Sequence, residues 1–99
     1  MELVGGEEPR LDEASVGTEV DCRGMLCAQG ILRLMRTMLG VPPSGVVKVL
    51  STDPAAEHDY PAWCRNTGHP FLGHRREADP QWGSLVVSFI RKRADPTAP

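Results

Sequence analysis

A thiol set between a strand and a helix is the chemistry this chain offers most plainly. In Asp21-Cys22-Arg23-Gly24-Met25-Leu26-Cys27-Ala28-Gln29-Gly30 an alternating segment gives way to a helical one, and Cys27 stands at the junction. The opening turn of a helix carries unsatisfied backbone N–H groups and about half a positive charge, and both favour thiolate over thiol. Cys27 is therefore expected to be exposed, acidic and nucleophilic; the bland alternative is a small buried hydrophobe. Arg23 would lower its pKa and Asp21 would raise it, so their net effect stays open, and both also read as solvated strand ends. Gly24 reads as a backbone residue at a sharp turn. Asp53, ahead of a second helical segment, reads as an N-cap.

The remaining chemistry-bearing residues form no second site by spacing. Cys22 and Cys64 are expected in the core, the first on the inward phase of a strand and the second beside Trp63 in a helix. A Cys22–Cys27 redox pair is the sharper alternative, although its spacing is not the C-x-x-C arrangement. His58, His69 and His74 have no zinc-finger spacing with the cysteines, so no metal is expected. Arg33, Arg36, Arg65, Arg75 and Arg76 read as a solvated face, or as a basic patch for an acidic donor surface or RNA phosphate.

Ninety-nine residues make one domain with one modest core, too small to enclose a substrate. Eleven basic residues against thirteen acidic ones give no field that would draw nucleic acid or anionic lipid. Three cysteines and an N-terminus without basic or apolar regions suggest reduced thiols in the cytoplasm. No apolar run approaches the roughly 18 residues of a membrane span.

The elements that must position Cys27 follow from periodicity. Residues 1–15 are acidic and aperiodic and read as a flexible tail. Val16, Thr18, Val20 and Cys22 alternate with polar residues, predicting a half-buried strand over 16–23. Ile31, Leu32, Leu34, Met35, Met38 and Leu39 predict an amphipathic helix over 28–39 whose Met and Leu stripe is core; Gly40 and Pro42-Pro43 end it. Residues 45–51 predict a central strand, with Lys48 near an edge or facing solvent. Thr52-Asp53-Pro54 opens a helix over 55–67, which Pro61 should kink or divide and Gly68 ends. Strands over 70–77 and 82–92, joined by Ala78-Asp79-Pro80-Gln81, close the domain as a hairpin, and the C-terminal tail begins at 93. The order β-α-β-α-β-β predicts a two-layer α/β sandwich: a four-stranded mixed sheet with two helices on one face and the other face open.

Asp21-x-x-Gly24-x-x-Cys27, with Thr52-Asp53-Pro54, Asp59, Pro61, Trp63-Cys64 and Gly68-His69, resembles the small sulfur-carrier family typified by TusA and SirA-like proteins. The likeness covers about Val16 to Arg91. It implies the same βαβαββ fold and a catalytic cysteine, Cys27, that accepts sulfane sulfur as a persulfide. The donor would be a protein of cysteine desulfurase or rhodanese type, and the acceptor a sulfur-relay or thiolation protein. It also implies that Asp53 lies close to the cysteine. The chain departs from the family's Cys-Pro-x-Pro, having Cys27-Ala28-Gln29-Gly30. Loss of both prolines softens the helix start, while Ala28 and Gly30 each restore a backbone donor.

The expectation is a monomeric sulfur carrier without cofactor or metal, Cys27 acting with support from Asp21, Arg23, Gly24, Ala28, Gln29, Gly30 and Asp53. The alternatives are a binding or regulatory module of the same fold that has lost efficient transfer, and a thiol redox switch.

Overall fold

A computed structural model describes residues 16–94. The tails read at 1–15 and at the C-terminus fall outside the described residues, except Arg93 and Ala94. Six elements follow in the expected order: β1 (Val16–Cys22), α1 (Cys27–Leu39), β2 (Val46–Ser51), α2 (Ala56–Thr67), β3 (Phe71–Asp79) and β4 (Gly83–Arg91). The sheet order is β1-β2-β4-β3, with β1 parallel to β2 and the other two pairings antiparallel.

Side-chain alternation decides how the layers join. Val20 and Cys22 of β1, Val47 and Val49 of β2, and Val86 and Ile90 of β4 face the helices and meet Leu34 and Met38 of α1 and Ala56, Tyr60 and Cys64 of α2. Both helices thus cover one face, as the element order requires. Ser88 is buried in the same strand phase with its hydroxyl unpartnered.

The other face is not open. Leu50, Leu85, Val87 and Phe89 form a second buried cluster there, with Val16 and Leu72 packed against it. Val16 reaches this face because the pairing shifts register between Val16 and Thr18, and Leu72 lies beside a similar shift between Phe71 and Gly73. The Arg75 guanidinium lies 5.2 Å from the centre of the Phe89 ring, a position favourable for cation–π attraction. Lys48, on this face of the inner strand β2, is half-buried rather than at an edge.

Three further expectations change. Pro61 does not divide α2; the helix runs unbroken to Thr67 and stops, as expected, at Gly68, whose φ of 85° and bond to the Cys64 carbonyl close it. β3 runs two residues further into the hairpin than the pattern predicts, to Asp79, while β4 begins one residue later, at Gly83; Asp79 Oδ2 accepts from the amides of Gln81 and Trp82, and the turn shifts to 80–82. The Met and Leu stripe of α1 is only half core: Leu34 and Met38 are buried, whereas Leu32, Met35 and Leu39 are exposed, Leu39 by 85%. With Ala28 these three recur at four- and three-residue steps and form an apolar stripe beside the buried one. At the far end Lys92 Nζ donates to the Met38 and Val41 carbonyls, capping α1, and the Arg93 amide donates to His69 Nδ1.

Candidate functional site

Parallel pairing of β1 and β2 sets Cys22 opposite Ser51, so both strands end, and both following helices begin, at one edge of the sheet. The β3–β4 hairpin returns to the same edge, since Ser51 also pairs with Val86. A Cβ on Gly24, which has φ of 82°, would meet the Trp82 ring at 3.1 Å, so glycine serves both the left-handed turn and the close approach of the hairpin.

The first helix begins one residue earlier than predicted, with Cys27 itself as its first residue, and the thiol is not an exposed anion. The residue is only 5% exposed. Burial pushes its pKa from 9.0 up to about 12, with further contributions from a hydrogen bond to the Asp59 carboxylate and from the charges of Asp59, Asp53 and Cys22. Burial, the largest cause, works against the expected acidification, and one of the donors expected to support it is already occupied. The Cys27 amide, one of the free N–H groups expected to favour a thiolate, donates instead to Asp53 Oδ2 at 2.9 Å. A carboxylate has taken the place a thiolate would occupy at the positive end of the helix.

Asp53 is not the N-cap the sequence suggests, since α2 begins at Ala56 with Ala55 as its cap; it acts from two residues further upstream. Its Oδ1 accepts from the Ala55 amide at 3.0 Å while Oδ2 holds Cys27, so one side chain joins the origins of both helices. These two backbone donors hold its carboxyl below the usual carboxylate range. Thr52 adds a parallel tie, its Oγ1 accepting from the Gly24 amide at 3.0 Å. The Gln29 side chain reaches back to the Leu26 amide at 3.0 Å, which is half of a capping box.

Asp21 and Arg23 do not act on the thiol. The Arg23 guanidinium forks onto Asp21, with Nε to Oδ1 and Nη2 to Oδ2 both at 2.8 Å. The carboxyl is held at about 2, chiefly by that hydrogen bond. They are the solvated strand ends of the alternative reading. Ala28 is exposed, and Gly30 is buried beneath the first turn.

Cys22 and Cys64 are buried free thiols whose pKa values burial raises, Cys64 to about 12. Among the described residues no three His, Cys, Asp or Glu side chains converge on a metal site. Of the arginines, Arg76 pairs with Glu57 and Arg75 with Glu77. Arg33 and Arg36 line an open groove of about 480 Å³ on α1 with Met25, Gln29, Leu32 and Thr37.

Two contributors went unassigned in the sequence. Asp59 lies one helical turn beyond Ala55, and its carboxylate hydrogen-bonds the thiol. Tyr60 carries no sequence signal of its own beyond being aromatic; its hydroxyl matters only because of what the fold sets around it.

The fold and the site together define a small α/β sandwich with one cysteine at the origin of its first helix, beside the start of the second. The family model for sulfurtransferase TusA matches residues 18–88, and the chain belongs to that family. It is 32% identical over 85 residues to the sulfur carrier protein TusA of Pseudomonas syringae pv. tomato, covering 86% of this chain and 95% of that one. Similar proteins of the same name occur in Pseudomonas entomophila, 33% identical over 77% of this chain and 89% of the relative, and Pseudomonas aeruginosa strain PAO1, 31% identical over 82% and 96%. No helix among the described residues is long and apolar enough to cross a membrane.

Proposed function

We propose that this chain carries sulfane sulfur on Cys27, receiving it as a persulfide from a donor protein and passing it to an acceptor. The observation that carries the reading is a thiol at the first residue of α1, in a chain of the TusA family. In the transfer, Cys27 Sγ bonds to the outer sulfur of a donor persulfide, the donor's S–S bond breaks, and the donor leaves as a thiolate. The thiol proton leaves to water on the side of Asp59, whose exposed carboxylate hydrogen-bonds the thiol. Attack by an acceptor thiolate on the same outer sulfur reverses the sequence, so no oxidant is consumed. Because the resting thiol is buried and protonated, loading requires a partner that opens the first turn of α1 or screens Asp53 and Asp59. The functional unit on this reading is residues 16–92, monomeric and cytoplasmic, with a donor of cysteine desulfurase or rhodanese type.

The buried, protonated thiol favours a second reading, a binding or regulatory module that no longer carries sulfur. Intact-mass measurement after incubation with a sulfane donor protein separates the two. The carrier gains the mass of one sulfur, and Cys27→Ser does not. An unmodified wild type, or a gain retained by Cys27→Ser, overturns the carrier assignment.

A further inference from the structure

The first turn of α1 rests on a buried polar chain to which every neighbouring element contributes. Gly30 faces inward, and a Cβ there would lie 2.6 Å from Tyr60 Oη, 3.3 Å from Cys22 Cβ and 3.4 Å from Cys22 Sγ. Tyr60 and Cys22 are almost completely buried, at 0% and 1% exposure. Ser51 Oγ, at the end of β2, donates to Tyr60 Oη at 3.2 Å. The Tyr60 hydroxyl is in turn hydrogen-bonded to the Cys22 sulfur. Cys22 Sγ donates to the Gly30 carbonyl at 3.7 Å. A continuous chain therefore runs from β2 through α2 and β1 into α1, three residues beyond Cys27.

Such a chain is costly unless each member is held, since a buried hydroxyl without a partner loses its hydration and gains nothing. The seat for the Tyr60 hydroxyl exists only because residue 30 has no side chain. A proline or any other residue there would place its Cβ inside contact distance of Oη. Gly30 and Tyr60 are thus sterically matched, and a helix start without a stiffening proline at 28 or 30 is braced from below.

We propose that Tyr60 is the positioning residue for Cys27: its hydroxyl, seated against the bare Cα of Gly30 and joined to Ser51 and Cys22, fixes the first turn of α1 and with it the thiol. Its use in sulfur transfer rests on the reading of Cys27 as the sulfur-bearing residue; the steric and hydrogen-bond geometry does not.

The test compares wild type, Tyr60→Phe, Gly30→Ala and the double variant by peptide-resolved alkylation of Cys27 with iodoacetamide as a function of pH, alongside thermal melting. Tyr60→Phe keeps the ring and loses the hydroxyl, which loosens the turn and speeds alkylation of the shielded thiol by about tenfold, the size of one lost buried hydrogen bond. Gly30→Ala speeds it at least as much, because Cβ displaces Oη. The double variant is no faster than the faster single, since the closest clash, at 2.6 Å, goes with the hydroxyl, and it melts higher than Gly30→Ala. If Gly30→Ala alone does not fold, its rescue by Tyr60→Phe is the expected result. Effects that multiply in the double variant, or one rate and pH profile shared by all four proteins, overturn the proposal. Alkylation needs no sulfur donor, so failure of sulfur loading with this coupling intact would refute only the carrier reading.

Discussion

Replacing Asp59 by asparagine removes the carboxylate that the Cys27 thiol touches and leaves the walls around the sulfur in place. A rise from 9.0 to about 12 lowers the thiolate fraction at neutral pH about a thousandfold, because each pKa unit is a factor of ten. Burial is the largest cause and Asp59 follows it, so the substitution recovers part of that loss, about tenfold or more for a like charge taken from hydrogen-bond range. The assay is the second-order rate of iodoacetamide with Cys27, resolved by peptide mass over pH from about 6 to about 11, where thiols titrate. Wild type should give a rate still climbing at the alkaline limit, and Asp59→Asn a parallel curve displaced to lower pH. A wild-type plateau with an apparent pKa at or below about 8.5, the ordinary cysteine value, would refute the reasoning. So would an Asp59→Asn curve superimposed on it.

Cys27 and Cys64, both raised from 9.0 to about 12, hold their protons more tightly folded than unfolded. Their contribution to stability is complete below about pH 9 and is lost as pH climbs towards 12, to be followed by urea unfolding at stepped alkaline pH. Asp53→Ala should speed hydrogen exchange at the amides of both Cys27 and Ala55; acceleration at only one would show the helix origins are held separately. Ser88→Ala should be neutral or stabilising, by up to about 1 kcal/mol, because the hydroxyl removed has no partner. Leu34→Ala should cost about 2–5 kcal/mol while Leu39→Ala stays within about 0.5 kcal/mol, as chemical denaturation would show for a buried and an exposed leucine.

Periodicity located the elements because strand alternation and the helical three- and four-residue step each declare a buried face. Val20 and Cys22 point inward and Asp21 outward as that pattern requires. It could not say which apolar residues of α1 would find a partner: the helix touches the sheet along one line, and Leu32, Met35 and Leu39 lie to its side. Nor could it show that Val16 and Leu72 would pack beside Phe89, since strand alternation does not report the register shifts next to them. At the site the sequence identified the helix start and Asp53 separately. Their meeting puts a carboxylate on the amide that would have favoured a thiolate, and burial, the larger cause, raises the thiol pKa further. Asp59 and Tyr60 act on the helix start from a different element, and nothing in local spacing reports such contacts.

The shared carboxylate of Asp53 has a mechanical consequence. Any partner that draws the first turn of α1 outward must lengthen the bond to Cys27, and the same side chain anchors Ala55, so the strain is felt at once where α2 begins. Asp59 and Tyr60 lie on the early turns of that helix. Prising the thiol towards a visitor therefore also disturbs the groups that keep it protonated and oriented, which makes access and activation one event rather than two.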